Sequence, residues 1–540
     1  MTNGFKLFPP GSEPKRHTQK EEENQMKLGK WTAAMVGAFA LVVCLAPMAL
    51  AGGVLKVAVS DEPPALDQQV ITSDLATMIA QHMFEGLYTF DSTYKPVPML
   101  AEGAEVKNGG KLIALKLRQG VKFHNGSEMT SADVVASLQR WGKFGSRGPV
   151  LFATIEKVEA AGKYQVDLYF KEVFGPWQSM LAFINGGPVI HPKAIMEKAD
   201  KKPIDIKDYI GTGPYKMGRW NPGRFVELIK FEEYAARSDA ANGYAGKRVA
   251  KIDKLHFIPV TDVSTRINGL KAGDYHYAEQ IPGDLFEDLD KDPIVNTVVN
   301  TGPIFGEMFF NSKEGIMKGN YKLRQAVQAA MDLKPALMAA IGPKSLWAAN
   351  GSIMPKGTFW YTEAGVKNYS QGDADLAKKL AEEAGYKGEI IKFMVSTAYP
   401  HHYDTAVVVA KQMSQAGFKV DLQIYDWATL ISKRGNPKMW DMFFTHHGFV
   451  PDPILFSFMS ETYPGWWATK EKLDLKAAFT STTDQAKRKE IWSKLQSLMY
   501  DQVPIVKNGD IFTYNIATPK LTGVGKSSLI WPQFWNCEIK

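Results

Sequence analysis

The stretch from Glu389 to Tyr425 constrains the fold more than any other. Glu389–Ser396 reads as a strand, Asp404–Gln415 as an amphipathic helix stopped by Gly417, and Phe418–Tyr425 as a second strand. Strand, helix and strand at this spacing make a crossover unit, which sets the two strands parallel. Parallel α/β sheets take their ligands beyond the carboxyl ends of the strands. That edge therefore receives Tyr399, His401 and His402 from the first connection and Trp427 from the second. A third strand, Trp440–Thr445, ends the same way and delivers His446, His447, Phe449 and Asp452.

At 540 residues the chain exceeds what one core supports, so two or three domains are expected. The N-terminus has its own logic. Residues 1–25 are polar and do not resemble the start of an export signal, whereas Met26-Lys27-Leu28-Gly29-Lys30 does. An apolar run from Trp31 to Ala46, then Pro47 and Ala49-Leu50-Ala51, completes a cleavable signal peptide over residues 26–51. Translation is expected to begin at Met26, and the mature, periplasmic chain at Gly52. Cys44 lies inside the apolar run behind Val43, which does not suit a lipoprotein site, so the mature chain keeps one thiol, Cys537. It can form no internal disulfide and must be held by its cores. Removing residues 1–51 takes away six basic and four acidic residues, which lowers the formal net charge from +7 to +5. That balance is too weak and dispersed to indicate nucleic acid.

Along the chain, Val54–Val59 alternates as a strand, and Thr72-Ser73-Asp74 caps a helix bearing Leu75, Met78 and Ile79. Thr72 and Ser73 also stand where a ligand above the strand would meet them. Residues 89–187 form a mixed unit, with strands at Leu112–Arg118 and Tyr164–Phe170 and a capping-box helix from Thr130. Gly211-Thr212-Gly213-Pro214-Tyr215 invites a phosphate-loop reading, but Pro214 lacks the N–H a phosphate needs and no Gly-Lys-Ser/Thr follows. The run is expected to be a turn that feeds Tyr215 into a strand.

Motifs for catalysis are absent: the chain has no Gly-x-Ser-x-Gly, His-Glu-x-x-His or Cys-x-x-Cys. No cofactor and no metal centre are expected. The His401-His402 and His446-His447 pairs are the metal-like clusters, yet neighbours on a strand point to opposite faces and cannot both bind one ion. They read instead as hydrogen-bonding groups of a pocket that Trp427, Trp440 and Phe449 line. Asp452, held between Pro451 and Pro453, reads as a rigid lone carboxylate suited to an ammonium group. An exported hydrolase remains an alternative from another class, with His402 and Asp404 as its only candidates.

Several segments in order resemble the extracytoplasmic solute-binding proteins of ABC importers, in the peptide/nickel-binding group. They are Phe84-Glu85-Gly86-Leu87, Leu117–Gly126 with Ala132-Asp133-Val134, Gly211–Tyr215, and Arg324-Gln325-Ala326 with Ala330-Met331-Asp332. The resemblance implies an α/β fold of the two-lobed periplasmic type, with a hinge and an additional domain inserted in the first lobe. Lobe I would take residues 52–88, 188–305 and 507–540, the insert 89–187, and lobe II 306–506. It implies a monomer that captures a peptide or peptide-like, amine-bearing solute and passes it to permease and ATPase subunits. Asp452-Pro453-Ile454-Leu455-Phe456 matches a loop whose aspartate receives the amino group in peptide-binding members. Dipeptide-binding members carry a carboxylate-binding arginine on the helix matching Asp404–Gln415; this helix has none. A longer peptide, or another amine-bearing or chelated solute, is expected instead, with a metal-chelate carrier as the alternative within the family.

Overall fold

A computed structural model describes residues 53–524 and 530–540. The signal-peptide and translation-start readings fall on residues 1–52 and lie outside the described residues. Among the described residues no helix is long and apolar enough to cross a membrane.

The chain opens with β1 (Val54–Val59) and α1 (Asp74–Ala80), whose N-cap Ser73 accepts from the Ala76 N–H at 3.4 Å. A separate four-stranded antiparallel sheet follows: β2 (Ala101–Lys107), β3 (Leu112–Leu117), β4 (Ile155–Gly162) and β5 (Gln165–Phe170), in the order β2-β3-β5-β4. It carries α2 (Ser131–Phe144), started by a capping box in which Thr130 N–H donates to Asp133 at 2.8 Å. The short helix α3 (Trp177–Ala182) closes this unit. Next come β6 (Tyr215–Asn221), β7 (Phe225–Lys230), β8 (Lys254–Pro259), β9 (Tyr277–Ala278) and the long β10 (Asn296–Phe310). The last third holds α4 (Tyr321–Ala329), β11 (Ile390–Ser396), α5 (Pro400–Gln415), β12 (Lys419–Tyr425), α6 (Trp427–Arg434), β13 (Met442–Gly448), α7 (Gln485–Gln502), β14 (Ile505–Lys507) and β15 (Asp510–Ala517).

One twelve-stranded sheet runs through these elements along the path β12-β11-β13-β10-β15-β9-β1-β8-β7-β6. β11 is parallel to both β12 and β13, as the crossover pattern requires. β10 is the shared strand. Its first residues, Asn296–Asn300, pair with β15, and its last, Ile304–Phe310, pair with β13, with an irregularity between Asn300 and Ile304. Beyond that break, a separate core of Met308, Phe310, Leu323, Val327, Phe393, Val409, Met442 and Phe444 fills the space between sheet and helices.

The glycine-rich run is architecture, and the reason is close backbone approach. A Cβ on Gly211 would lie 2.2 Å from the Met83 carbonyl, and one on Gly213 2.5 Å from that of His82. Gly213 N–H donates to Met83 O at 2.9 Å, and Tyr215 N–H to His82 O at 3.1 Å. Thr212 Oγ1 donates to Glu85 at 2.9 Å, and Glu85 in turn pairs with buried Arg248 at 3.2 Å. His124 brackets the run from the other side, accepting from Gly211 N–H and meeting Gly213 O, each at 3.1 Å. Accepting at Nδ1 fixes the proton on Nε2, which therefore donates to Gly213. Three separate sequence signatures thus form one contact.

Two boundaries differ from the sequence reading. α5 begins at Pro400, so His401 and His402 lie in its first turn rather than in a loop. Proline is well placed in a first turn because its missing N–H would have had no helical partner there. β13 continues to Gly448, which puts His446 and His447 inside the strand.

Candidate functional site

The ten residues singled out in the sequence separate into four environments. Asp452 is the clearest correction. It is fully buried, and Arg488 of α7 donates to its two oxygens at 3.2 and 3.0 Å. Ser179 of α3 donates to Oδ2 at 2.7 Å, and Ile454 N–H to Oδ1 at 3.2 Å. A carboxylate with both oxygens occupied by the chain's own donors is not a lone acceptor for a solute's ammonium. It instead clamps α3, the 449–456 loop and α7 together. Arg488 is itself sandwiched by rings, 4.2 Å from Phe479 and 4.9 Å from Trp360, so the ion pair is sealed from water.

Trp440 is also corrected. It is a core residue, packed edge-on against Phe443 at 4.8 Å and stacked on Trp466 at 5.7 Å, with its indole N–H donated to Arg434 O. Phe449 is buried too, its ring 4.3 Å from that of Tyr94.

His447 and Thr72 each border a second place, around a group that the sequence reading missed. Arg147, in the turn after α2, has its guanidinium 3.9 Å above the Phe183 ring and donates to Asn185 O at 2.9 Å. Among the described residues no carboxylate lies within ion-pairing distance of it. Burial presses its pKa below the ordinary arginine value, as expected for a cation that no anion compensates. Its charge reaches His447, whose pKa falls chiefly by burial and also through Arg147, so that imidazole stays neutral beside it. His447 stacks on Phe305 at 6.1 Å and lies edge-on to Phe456 at 5.0 Å.

The turn that carries Arg147's partner is fixed closely. Asn185 donates from its side chain to Thr72 O at 2.9 Å and to Asp74 at 3.2 Å, and Trp141 donates to Gly186 O at 2.8 Å. Gly186 has φ +65°, and a Cβ there would fall 2.9 Å from the Thr72 methyl. Ser73 is therefore a helix cap, while exposed Thr72 is part of this wall.

Tyr399, His401, Trp427 and His446 form the remaining group, together with His402, on the opposite face of β13. Adjacent residues of a strand point to opposite faces, so His446 and His447 face different surroundings. His402 Nε2 is 2.9 Å from His446 Nδ1. Tyr399 packs on both imidazoles at 4.8 Å and on Trp427 at 5.1 Å. Because His401 and His402 are helical, the argument that separates neighbouring strand histidines does not apply to them.

Arg147, Asn185 and Phe183 escaped the sequence reading because no motif marks them. A cation in a Gly145-Ser146-Arg147-Gly148 turn was the available signal, since binding groups concentrate on positioned loops. Arg488 escaped because a partner 36 residues away along the chain leaves no local trace.

Comparison with known proteins gives the family and the fold. The model of the bacterial extracellular solute-binding proteins, family 5 (middle region), matches residues 95–467. A probable peptide ABC transporter periplasmic-binding protein of Sinorhizobium fredii is 26% identical over 498 residues, covering 87% of this chain and 91% of that protein. The glutathione-binding protein of Escherichia coli K12 is 26% identical over 488 residues, covering 85% and 89%. Among solved structures, HbpA2 of Haemophilus parasuis superposes with a TM-score of 0.77 at 20% identity, covering 90% of this chain and all of that one. The shared architecture is the two-lobed α/β binding-protein fold. The chain belongs to the bacterial extracellular solute-binding proteins of family 5.

Proposed function

We propose that this protein is the exported, solute-capturing component of an ABC importer. It would take up peptides or peptide-like solutes and hand them to a membrane permease driven by an ATPase. Family membership and the peptide- and glutathione-binding relatives support that class, and capture rather than turnover is the role. The observation that carries the reading is Arg147, a half-buried guanidinium over Phe183 that lacks an anion of its own among the described residues. A planar cation with free donors suits a carboxylate, the group every free peptide carries at its C-terminus. The arginine absent from the helix after β11 is thereby replaced from the inserted unit.

The lobes would follow the strand pairing: residues 53 to about 300 with 510–524 and 530–540 on one side, and 304–507 on the other. The irregularity of β10 between Asn300 and Ile304 serves as the hinge, with closure bringing Arg147 and the β13 edge around the solute.

Calorimetry with a panel of short peptides, each prepared with a free and an amidated C-terminus, tests this. Free-acid forms should bind roughly 10- to 100-fold tighter than amides, as one charge-assisted contact is worth about 1.5–3 kcal/mol. Arg147→Gln should abolish that difference while leaving thermal unfolding nearly unchanged. Equal affinity for acid and amide forms in the wild-type protein, or a preserved difference in the variant, would refute the role of Arg147. Absence of binding across the panel would refute the peptide class.

A further inference from the structure

We propose that His401, His402 and His446 form a binding site for a divalent transition-metal ion of the zinc, nickel or copper class. The site lies on the α5 side of β13 and uses none of the groups around Arg147. One ligand nitrogen from each of the three imidazoles lies within 4.8 Å of the other two, and the His402–His446 pair is already at 2.9 Å. A metal bound at about 2.0–2.1 Å by tetrahedral nitrogens holds them roughly 3.4 Å apart. Ligation therefore requires His401 to draw in and the His402–His446 pair to open slightly.

The hydrogen bonding of the cluster is incomplete as it stands. His402 is fully buried, and among the described residues its Nδ1 has no hydrogen-bond partner; neither does the buried Nε2 of His401. The contact between His402 and His446 uses one proton, so one tautomer orphans a donor on His402 and the other orphans an acceptor. Buried polar atoms are rarely left this way without a role. A cation accepting lone pairs from three neutral imidazoles gives the cluster a purpose that a shared proton does not.

The surroundings fit a softer metal rather than calcium or magnesium. Tyr399, Trp427 and Phe444 wall the imidazoles, with Trp427 stacked on His446 at 6.1 Å and Phe444 5.0 Å from His402. The set offers nitrogen and no carboxylate, which selects zinc, nickel or copper over the oxygen-seeking ions. The N-terminal end of α5 works weakly against a bare cation, but that end effect is small beside three coordinate bonds. Three protein ligands leave a fourth position for water.

The test uses tag-free full-length protein stripped with EDTA and titrated with Co2+ by visible absorption and with Zn2+ by calorimetry. One equivalent should bind, with the d–d bands of nitrogen-ligated cobalt. His402→Gln and His446→Asn, which keep most of the side-chain volume, should each weaken binding on the order of 100-fold. Circular dichroism of both variants separates a lost ligand from a lost fold, and His401→Gln provides a third variant at a less buried position. No saturable binding at millimolar metal, or unchanged affinity in the correctly folded variants, would overturn the site. Either result leaves the peptide measurements with Arg147 untouched.

Discussion

Two charged groups, Asp452 and Arg147, show opposite uses of burial. Asp452 is sealed with Arg488, Ser179 and the Ile454 amide, so its charge is spent on holding three segments together. Arg147 is half-buried, rests on Phe183 and, among the described residues, has a single backbone carbonyl as hydrogen-bond partner. Burying a charge is costly unless it is paired, so an unpaired one persists where something outside the chain will complete it. The conspicuous carboxylate in the Asp-Pro loop belongs to the scaffold, and the proposed solute contact is an unremarkable turn arginine.

The sharpest way to break this contrast is to remove the internal partner. Arg488→Ala leaves Asp452 buried and uncompensated, and should cost about 3–5 kcal/mol in denaturant unfolding. Replacing both partners, as Arg488→Met with Asp452→Leu, should recover most of that loss, because an apolar pair carries no desolvation penalty. A double variant as unstable as the single one would show that the loss is one of packing, not of charge.

Glu307 sharpens the comparison as a buried acid with neither kind of partner. It lies fully buried in β10 with both oxygens unpaired, and burial raises its pKa to about 8. The folded state therefore binds a proton that the unfolded state, with an ordinary carboxyl, releases above about pH 4.5. This contribution is fully present below that pH, declines as pH rises toward 8, and is flat beyond. Relative to wild type, Glu307→Gln should gain roughly 1.4 kcal/mol per pH unit between pH 5 and 8. Parallel pH profiles for the two proteins would show that Glu307 is ionised in the fold.

A smaller effect is expected where the scaffold relies on contact rather than charge. Gly213→Ala must push a methyl against the His82 and Met83 backbone, and should cost about 1–3 kcal/mol without changing peptide affinity. The least change in stability is expected for Arg147→Gln, whose effect belongs in the binding isotherm. A large drop in its melting temperature would move Arg147 into the same class as Asp452.

Much of the scaffold was readable from residues alone. The strand at Val54–Val59, the capped helices at Ser73 and Thr130, and the parallel crossover between β11 and β12 each follow from periodicity and capping chemistry within short windows. Gly211–Tyr215 was legible as a turn because proline and the missing phosphate-loop residues exclude the alternative. Its actual reason, two glycines pressed on the Met83 segment, needed the fold.

Charge pairing and side-chain facing were the parts that local sequence could not supply. Whether Asp452 is free depends on Arg488 and on Ser179, which is 273 residues away. His446 and His447 are neighbours in sequence, yet one faces His402 and the other Phe305, because β13 runs three residues past Thr445, where its apolar pattern ends. Hydrophobic periodicity reports which face of an element is dry, and so fixed the fold class and much of the core. Electrostatic completion depends on distances between segments remote in sequence, so only the tertiary structure could decide which polar groups are spent within the chain and which are left for a partner.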